Sequence, residues 1–406
     1  MTTEVEAGSV PPLSRNRNYH VLWGSQLVSE LVSQLCLIAF PLMVLAATGS
    51  VPEMGAVAAV IAVAHMAANV PAGVLVDRLD RKRVMLVCQC VRAVAMAGLA
   101  LALFSGRFSL PLVLALAAAE GLLGAAFDPA EHAALPQVVH ETQLSRAVAR
   151  NTARRYIATL LGPAGAGFLF AVDPTAPFAV AAVLLVASCA GLCFLRLPRS
   201  VPEADGEGEG MLGGGFRWVL GHRVIRPMLG WLMCCELVIS ALIITVLALS
   251  GEGDLAPGDL GVMMTGFGIG GLLGAAVAGR LHAALPASAV ILGFPWMCSA
   301  LTLLLALVPT GVLTGVVLGG IAFLIPTAFT TVMTYQLAEA PDELRGRLSG
   351  IVGLFVGGAG ALGPLVGGLL MADGNSRGSL LVWSACLAVV AVGTTLSPAL
   401  RRFPAQ

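Results

Sequence analysis

Long apolar runs separated by short polar segments repeat along the whole chain. The hydrocarbon core of a bilayer is about 30 Å thick, which about 20 apolar residues span as a helix. Cutting the sequence at Pro, Gly and charged clusters predicts twelve membrane-spanning helices, at 19–47, 53–76, 84–105, 109–137, 148–172, 174–196, 226–250, 257–280, 287–308, 310–337, 347–372 and 378–400. The pattern therefore predicts an all-α membrane protein.

The predicted helices form two sets of six. A polar segment at 197–225, rich in Gly, Glu and Pro, separates a bundle at 19–196 from a bundle at 226–400. This composition is typical of a flexible linker, although the apolar residues at 216–224 also suit a short interfacial helix. Short tails at 1–18 and 401–406 complete the predicted organisation.

Composition excludes several classes of function. The chain has 406 residues, of which 57% are hydrophobic and 11% charged, and its mean hydropathy is +0.89; soluble domains carry about 25% charged residues. The formal charge is zero, which disfavours a nucleic-acid partner. The nine cysteines lie in apolar runs, and neither a nucleotide-binding Gly-Lys-Ser/Thr element nor a metal-ligand motif is present. We therefore expect no enzyme activity, cofactor or metal.

The distribution of basic residues predicts the orientation. If the N-terminus is cytoplasmic, 20 of the 23 basic residues, all except Arg92, Arg107 and Arg377, lie at or beside cytoplasmic ends. The positive-inside rule therefore favours twelve spans with both termini in the cytoplasm. Arg greatly exceeds Lys, and Ala and Gly are abundant, as in GC-rich bacteria. We expect a multi-pass protein of the bacterial inner membrane, without a cleaved signal peptide.

The two halves carry related motifs. Gly162-Pro163 in the fifth span and Gly363-Pro364 in the eleventh are 201 residues apart, as expected for parallel six-helix repeats. Between the second and third spans the chain reads Gly-Val-Leu-Val-Asp-Arg-Leu-Asp-Arg-Lys-Arg at 73–83. This segment resembles the cytoplasmic loop signature of the major facilitator superfamily, with Asp80 in place of the second Gly.

The resemblance implies two pseudo-symmetric six-helix bundles and transport by alternating access. It assigns a cytoplasmic gate to Gly73, Asp77 and Arg81. The run Gly162, Pro163 and Gly167 resembles the antiporter motif of the superfamily, and Gly363 and Pro364 are its counterparts in the second half; these residues serve either a specific role against ion leak or helix packing alone. The Asp-Pro-Ala at 128–130 and the Arg-Gly-Arg at 345–347 resemble the branch of the enterobactin exporter and macrolide-efflux proteins, which favours export.

Three carboxylates lie deep in predicted spans. Glu30, Glu120 and Glu236 are each about ten residues into a span, roughly 15 Å deep at 1.5 Å per residue. A charge there costs about 2.5–3.5 kcal/mol on insertion scales, so such residues are usually functional. We expect one or more of them to take up and release protons. The alternative for each is a permanently protonated or helix-bonded Glu. Arg92 is expected to extend to the cytoplasmic surface rather than pair with one of them.

Polar side chains at helical spacing accompany these carboxylates. The resemblance implies that spans one, four, seven and ten line the central cavity, and the stripes predict the lining residues Gln26, Gln34, Asp128, Ser240, Thr331 and Tyr335. His65 and Asn69 on the second span are further candidates for lining a gate.

The sequence thus predicts a secondary active transporter that exports an amphipathic small organic molecule, a drug-like compound or a secondary metabolite. Protons are the expected exchange ion, and a monomer is the expected functional unit. A cavity with acidic and neutral groups suits neutral or cationic substrates better than multiply anionic ones. A proton-coupled importer and a siderophore exporter of the same fold remain open as alternatives.

Overall fold

A computed structural model describes residues 13–196, 221–249, 258–339, 345–372 and 375–401 of the chain. Within these ranges twelve helices are long and apolar enough to cross a membrane. They are α1 Arg17–Thr48, α2 Val51–Arg78, α3 Arg81–Phe104, α4 Leu110–Val138, α5 Glu141–Val172, α6 Ala176–Cys193, α7 Ile225–Leu249, α8 Asp259–Ala284, α9 Ala287–Leu307, α10 Val312–Glu339, α11 Arg345–Leu370 and α12 Ser376–Leu396. A 3-10 turn at Leu13–Arg15 precedes them and a short helix at Pro398–Arg401 follows.

The predicted all-helical fold with twelve spans is confirmed. Most helix bounds agree with the sequence pattern within a few residues. The exception is α5, which begins at Glu141 rather than at 148, because its first turns are polar and hydropathy alone detects only the apolar part from Arg154 onward. Most of the predicted interfacial helix at 216–224 lies outside the described residues.

Equivalent helices pair in the two halves. In the first half α2 packs on α4, α1 on α5 and α3 on α6; in the second half α8 packs on α10, α7 on α11 and α9 on α12. Each pair in the second half is the first-half pair shifted by six helices. The pairing therefore shows the internal repeat that the Gly-Pro elements indicate.

The two halves meet along two helix pairs, α2 with α11 and α5 with α8. Near the start of α2, a Cβ on Gly55 would overlap the carbonyl oxygen of Pro364, and a Cβ on Gly368 would lie 2.8 Å from the carbonyl oxygen of Val51. Near the end of α5, a Cβ on Gly167 would lie 2.6 Å from the backbone of Gly261. Backbones approach this closely only where side chains are absent.

These glycine contacts close one end of the molecule. The start of α2 and the end of α5 both lie at the end opposite the N-terminus, since α1 crosses from one end to the other before α2 begins. The two halves are therefore in direct backbone contact at the end opposite the N-terminus. The cavity described below lies between the halves, along the same α2 and α11 pair.

Candidate functional site: a cavity between the two halves

A cavity of about 360 Å³ lies between the halves, and α1, α2, α7 and α11 contribute its walls. Most of its surface is apolar. The residues that line it are Ser33, Gln34, Leu37, Ala58, Ile61, Ala62, His65, Met66, Glu236, Ser240, Ile243, Ile244, Gly353, Gly357, Gly360 and Pro364. An apolar wall with a few polar groups is typical of sites for small organic ligands, and the volume is within their usual range of about 300–1,000 Å³.

Glu236 is the acidic group of this cavity. Its side chain is partly buried, and the Ser240 hydroxyl, one helical turn further along α7, donates a long hydrogen bond of 3.4 Å to its Oε1. A Cβ on Gly360 would lie 3.3 Å from the same Oε1, so the bare backbone of α11 makes room for the carboxyl group. Among the described residues, no basic side chain forms an ion pair with Glu236. Glu236 is therefore a candidate for binding a proton or a cationic ligand.

Glu120 lies in a different environment. It is 3% exposed and forms an ion pair with Arg92, which is fully buried. The Arg92 Nε donates to Glu120 Oε2 at 2.9 Å, and its Nη2 also contacts Oε1. Nη1 donates to the Ser29 hydroxyl at 2.6 Å, and Nη2 donates to the Ser33 hydroxyl at 2.9 Å. The pair thus joins α1, α3 and α4, and Ser33 connects it to the wall of the cavity.

The prediction that Arg92 extends to the cytoplasmic surface is wrong. Position 92 faces the interior of the first bundle, where its guanidinium finds a carboxylate and two hydroxyl groups. Arg92 is 12 residues before the end of α3 and Glu120 is 10 residues after the start of α4, so the two antiparallel helices hold them at a similar depth below the loop that joins them. Opposite charges at matched depth were the signal in the sequence for this pair.

Glu30 lies outside the described cavity wall, in a cluster between α1, α4 and α5. Its Oε2 is 3.5 Å from the Nε of Arg154, and its Oε1 is 3.3 Å from the Nε of Arg155. Arg154 is buried and its Nη1 also lies 3.7 Å from Glu131 Oε1, whereas Arg155 is largely exposed. The three predicted carboxylates therefore do not share one site. Sequence reasoning placed Arg154 at the cytoplasmic surface and missed its role as a partner.

The six predicted lining residues divide into two groups. Gln34 and Ser240 lie in the described wall of the cavity, as does the gate candidate His65. The other four lie outside that wall: Gln26, Thr331 and Tyr335 are buried, and Asp128 is partly buried. The reason is the helix pairing, since α4 packs on α2 and α10 packs on α8, so that α2 and α11 face the cavity instead.

The loop motif between α2 and α3 is described only in part. The surroundings of Gly73 and the side chain of Asp77 lie outside the described part of the structure, whereas Arg81 is described as partly buried at the first position of α3. Asp80, which replaces the second Gly of the signature, is the N-cap of α3: its side chain accepts a 3.0 Å hydrogen bond from the backbone N–H of Arg83. The departure from the signature therefore supplies a standard helix cap.

The Gly-Pro elements lie at helix contacts. A Cβ on Gly162 would meet the backbone and side chain of Gln34 in α1, and Gly167 contacts α8. A Cβ on Gly363 would lie 2.6 Å from the Leu237 carbonyl oxygen in α7, and Pro364 lines the cavity. These positions let α5 and α11 approach their neighbours closely, and a separate role against ion leak stays a prediction.

Comparisons with known proteins agree with this architecture. The chain is 28% identical over 400 residues to the multidrug efflux pump Tap of Mycolicibacterium fortuitum, covering 90% of this chain and 92% of that protein. It is 24% identical over 359 residues to the enterobactin exporter EntS of Shigella boydii serotype 18, covering 85% of each. It is 26% identical over 183 residues to macrolide efflux protein A of Streptococcus pyogenes, covering 45% of each. The predicted resemblance to the branch of enterobactin and macrolide exporters is confirmed.

Solved structures share the fold. The crystal structure of the nucleoside transporter NupG superposes with a TM-score of 0.73 at 13% identity, covering 96% of this chain and 100% of that one. Residues 7–405 match the family described as transmembrane secretion effector, MFS_3. Because this match spans nearly the whole sequence, the chain belongs to that family of major facilitator superfamily membrane transporters.

Proposed function

We propose that this transporter exports an amphipathic small organic molecule, neutral or cationic, in exchange for protons. The observation that carries the proposal is the cavity between the halves, with its apolar wall and with Glu236 unpaired by any described basic side chain. An apolar wall favours a lipophilic substrate, and a carboxylate favours a positive charge on it. A multiply anionic substrate would be repelled by the same group.

The relatives support export as the direction. Tap is named a multidrug efflux pump, and EntS and macrolide efflux protein A are also named as exporters. The resemblance extends over most of the chain for the first two, so both halves of the transporter are included in the comparison. We therefore favour export over the alternative of a proton-coupled importer.

Exchange follows from competition for one carboxylate. The free-energy cost of burying a carboxyl group in an apolar cavity is lowest when the group is neutral or paired with a cation. A proton and a cationic substrate therefore exclude each other at Glu236. When the cavity faces the compartment of higher proton activity, protonation releases the substrate; when it faces the cytoplasm, deprotonation prepares the site for the next one. A neutral substrate would rely on the apolar wall and on hydrogen bonds to Gln34 and His65.

Alternating access needs a reversible contact between the halves. The glycine contacts between α2 and α11, and between α5 and α8, hold the end opposite the N-terminus closed in this conformation. With the predicted cytoplasmic N-terminus, the closed end faces the outside. Opening it requires α2 to separate from α11 and α5 from α8, while each half keeps its internal pairs.

The test is transport in inverted membrane vesicles with a fluorescent lipophilic cation as the probe. Wild type should accumulate the cation when a proton gradient is imposed, and a protonophore should abolish the uptake. Glu236→Gln should reduce the coupled uptake at least tenfold, because the neutral amide cannot exchange a proton for a cation. Ser240→Ala is the matched control, since it keeps the carboxylate and removes only a weak hydrogen bond; its rate should stay within about threefold of wild type.

Two results would refute the proposal. Glu236→Gln vesicles that accumulate the cation at the wild-type rate, with unchanged dependence on the proton gradient, would exclude Glu236 from coupling. Wild-type flux in the opposite direction, out of inverted vesicles along the proton gradient, would identify an importer. Equal amounts of both proteins in the membrane, checked by immunoblotting, make either result interpretable.

A further inference from the structure

A second concave surface lies at the end of the molecule that carries the N-terminus. This groove, of about 400 Å³, is lined by residues at the start of α1 and by the segment just after α6: Arg15, Asn16, Arg17, Asn18, Phe194 and Arg196. It is separate from the central cavity, and no acidic residue is among the described residues that line it. We propose that the groove binds the headgroup of an anionic phospholipid.

The two asparagines give the groove a fixed frame. Asn18 Nδ2 donates to the carbonyl oxygen of Arg196 at 3.1 Å, and the Arg196 N–H donates back to Asn18 Oδ1 at 3.4 Å. Asn16 caps α1 by accepting from the Tyr19 N–H at 3.0 Å, and its Nδ2 donates to the Val138 carbonyl oxygen at 2.6 Å. The start of α1 and the segment after α6 are therefore held together by the protein, without a ligand.

The three arginines supply positive charge that no described carboxylate offsets. All three are exposed, and among the described residues none has a carboxylate within ion-pair distance. The Arg17 guanidinium lies 5.6 Å from the ring centroid of Phe194, which holds its stem against the end of α6. Guanidinium groups bind phosphate oxygens through paired N–H donors, so a phosphate diester is the chemistry that this set recognises.

Lys82 offsets the partial negative charge at the end of α6, which would otherwise repel an anion in the groove. The C-terminal carbonyl groups of a helix carry partial negative charge. The Lys82 Nζ donates to the carbonyl oxygens of Cys193 at 2.9 Å and Leu195 at 2.7 Å, and so neutralises the end of α6 beside the groove. An incoming phosphate therefore meets only cationic and neutral groups among the described residues.

The surface below the groove suits the acyl chains of the same lipid. On α6 one face is apolar and exposed, with Val183 at 68% and Val186 at 58% exposure, and it leads to Phe194 at 63%. These positions follow helical spacing and run along the helix axis, as acyl chains do. A free phosphate would use the arginines only, whereas a phospholipid would use both surfaces. The combination therefore points to a lipid.

The experiment is native mass spectrometry of the full-length protein in neutral detergent. It is offered an equimolar mixture of phosphatidylglycerol and phosphatidylethanolamine. Wild type should retain phosphatidylglycerol selectively. A basic residue near a charged lipid surface contributes about a fivefold gain in binding, so Arg17→Gln with Arg196→Gln should lower retention roughly 25-fold. Arg226→Gln is the matched control, because this exposed arginine lies at the start of α7, outside the groove, and should change nothing.

Several outcomes would overturn the inference. They are equal retention of both lipids, unchanged retention in the double variant, and complete displacement by millimolar inorganic phosphate, which would identify a site for free anions. A fourth is a large gain of phosphatidylglycerol after neutralising the four acidic residues at 203–209, which would mean that this segment is the natural occupant. Arg17→Lys with Arg196→Lys should retain phosphatidylglycerol better than the double Gln variant but less well than wild type, since it keeps the charge and loses the paired N–H donors. An unchanged melting temperature of each variant confirms folding.

Discussion

The buried ion pair between Arg92 and Glu120 provides the sharpest test of how charge is used in this protein. The sequence alone makes Glu120 a candidate proton carrier, whereas the structure gives it a fixed counter-charge inside the first bundle. Neutralising this carboxylate would leave the buried guanidinium without a counter-charge, which is costly. We therefore expect Glu120 to stabilise the bundle and to take no part in proton exchange.

The magnitude follows from what each substitution leaves behind. Glu120→Leu removes the carboxylate and leaves Arg92 buried, with Ser29 and Ser33 as its remaining hydrogen-bond partners among the described residues. Removing one partner of a buried pair costs about 3–5 kcal/mol, whereas replacing both partners with apolar groups is often neutral. Arg92→Met with Glu120→Leu should therefore recover most of the stability that either single variant loses. The coupling energy should be at least about 3 kcal/mol.

The assay is thermal unfolding of the purified protein in detergent, combined with transport measurements. For a folding unit of about 150–250 residues, 1 kcal/mol shifts the melting temperature by about 2–4 °C, so each single variant should melt about 6–20 °C lower. Glu53→Gln is the control, because it neutralises a carboxylate that has no ion pair among the described residues, and it should shift melting only slightly.

Transport by the double variant decides the role of the pair. If the pair is structural, the double variant keeps proton-coupled export once it is folded. The reasoning fails if Glu120→Leu melts like wild type, or if the double variant folds with native stability yet has lost its dependence on the proton gradient. The second result would return Glu120 to the list of proton carriers.

Three further predictions use other parts of the structure. Gly55→Ala should shift the conformational equilibrium about 5- to 150-fold away from the state in which the end opposite the N-terminus is closed, because overpacking costs about 1–3 kcal/mol. Gly98→Ala is the control, because a Cβ there meets open space, and it should leave the equilibrium unchanged. Labelling of cysteines introduced at the closed end measures both effects. Thr245→Val removes the acceptor of the 2.9 Å hydrogen bond from the Trp383 indole and should cost about 1–3 kcal/mol in melting assays, and no change would mean that the buried indole N–H has found another partner. In the loop after α5, the hydroxyl and the backbone N–H of Thr175 donate hydrogen bonds to the Asp173 carboxylate and lower its pKa. The stabilisation from this carboxylate is therefore present above the unfolded-state pKa and is lost as the pH falls through the lowered folded-state pKa, below about pH 4. Asp173→Asn should weaken the dependence of the melting temperature on pH in the acid range, and an unchanged pH profile would contradict this.

The fold was predictable because lipid imposes a strict rule on the sequence. Every spanning segment must be long, apolar and helical, so counting such segments gave the twelve helices. The depth of a residue along its helix was also predictable from the sequence, which placed Glu236 and Ser240 in the middle of α7. Hydropathy did not reveal the polar first half of α5, because this part of the helix is too short and too polar to span a membrane.

Direction around a helix axis was harder to predict than depth along it. The hydrophobic spans carry almost no periodic contrast, since lipid and protein interior are equally apolar, so the sequence does not show which face of α3 carries Arg92 inward. The same limit explains the cavity. Which helices line the cavity depends on how the halves meet. The glycine positions of α2 and α11 determine that contact, for example where Gly55 packs against Pro364.

The structure sorts the three deep carboxylates by their partners. Glu120 has a buried guanidinium, and Glu30 has two arginines, one buried and one exposed. Glu236 has only a serine hydroxyl among the described residues, and it faces a cavity of ligand size. Since equal depth costs each carboxylate a similar insertion energy, the difference lies in how that cost is offset. The described residues provide a counter-charge at Glu120 and at Glu30, and we propose that a proton or a substrate takes that role at Glu236. A carboxylate with an internal counter-charge stabilises one arrangement of helices, whereas one without it can change its charge state in each cycle. Proton coupling is therefore best sought at Glu236, in the second half of the chain.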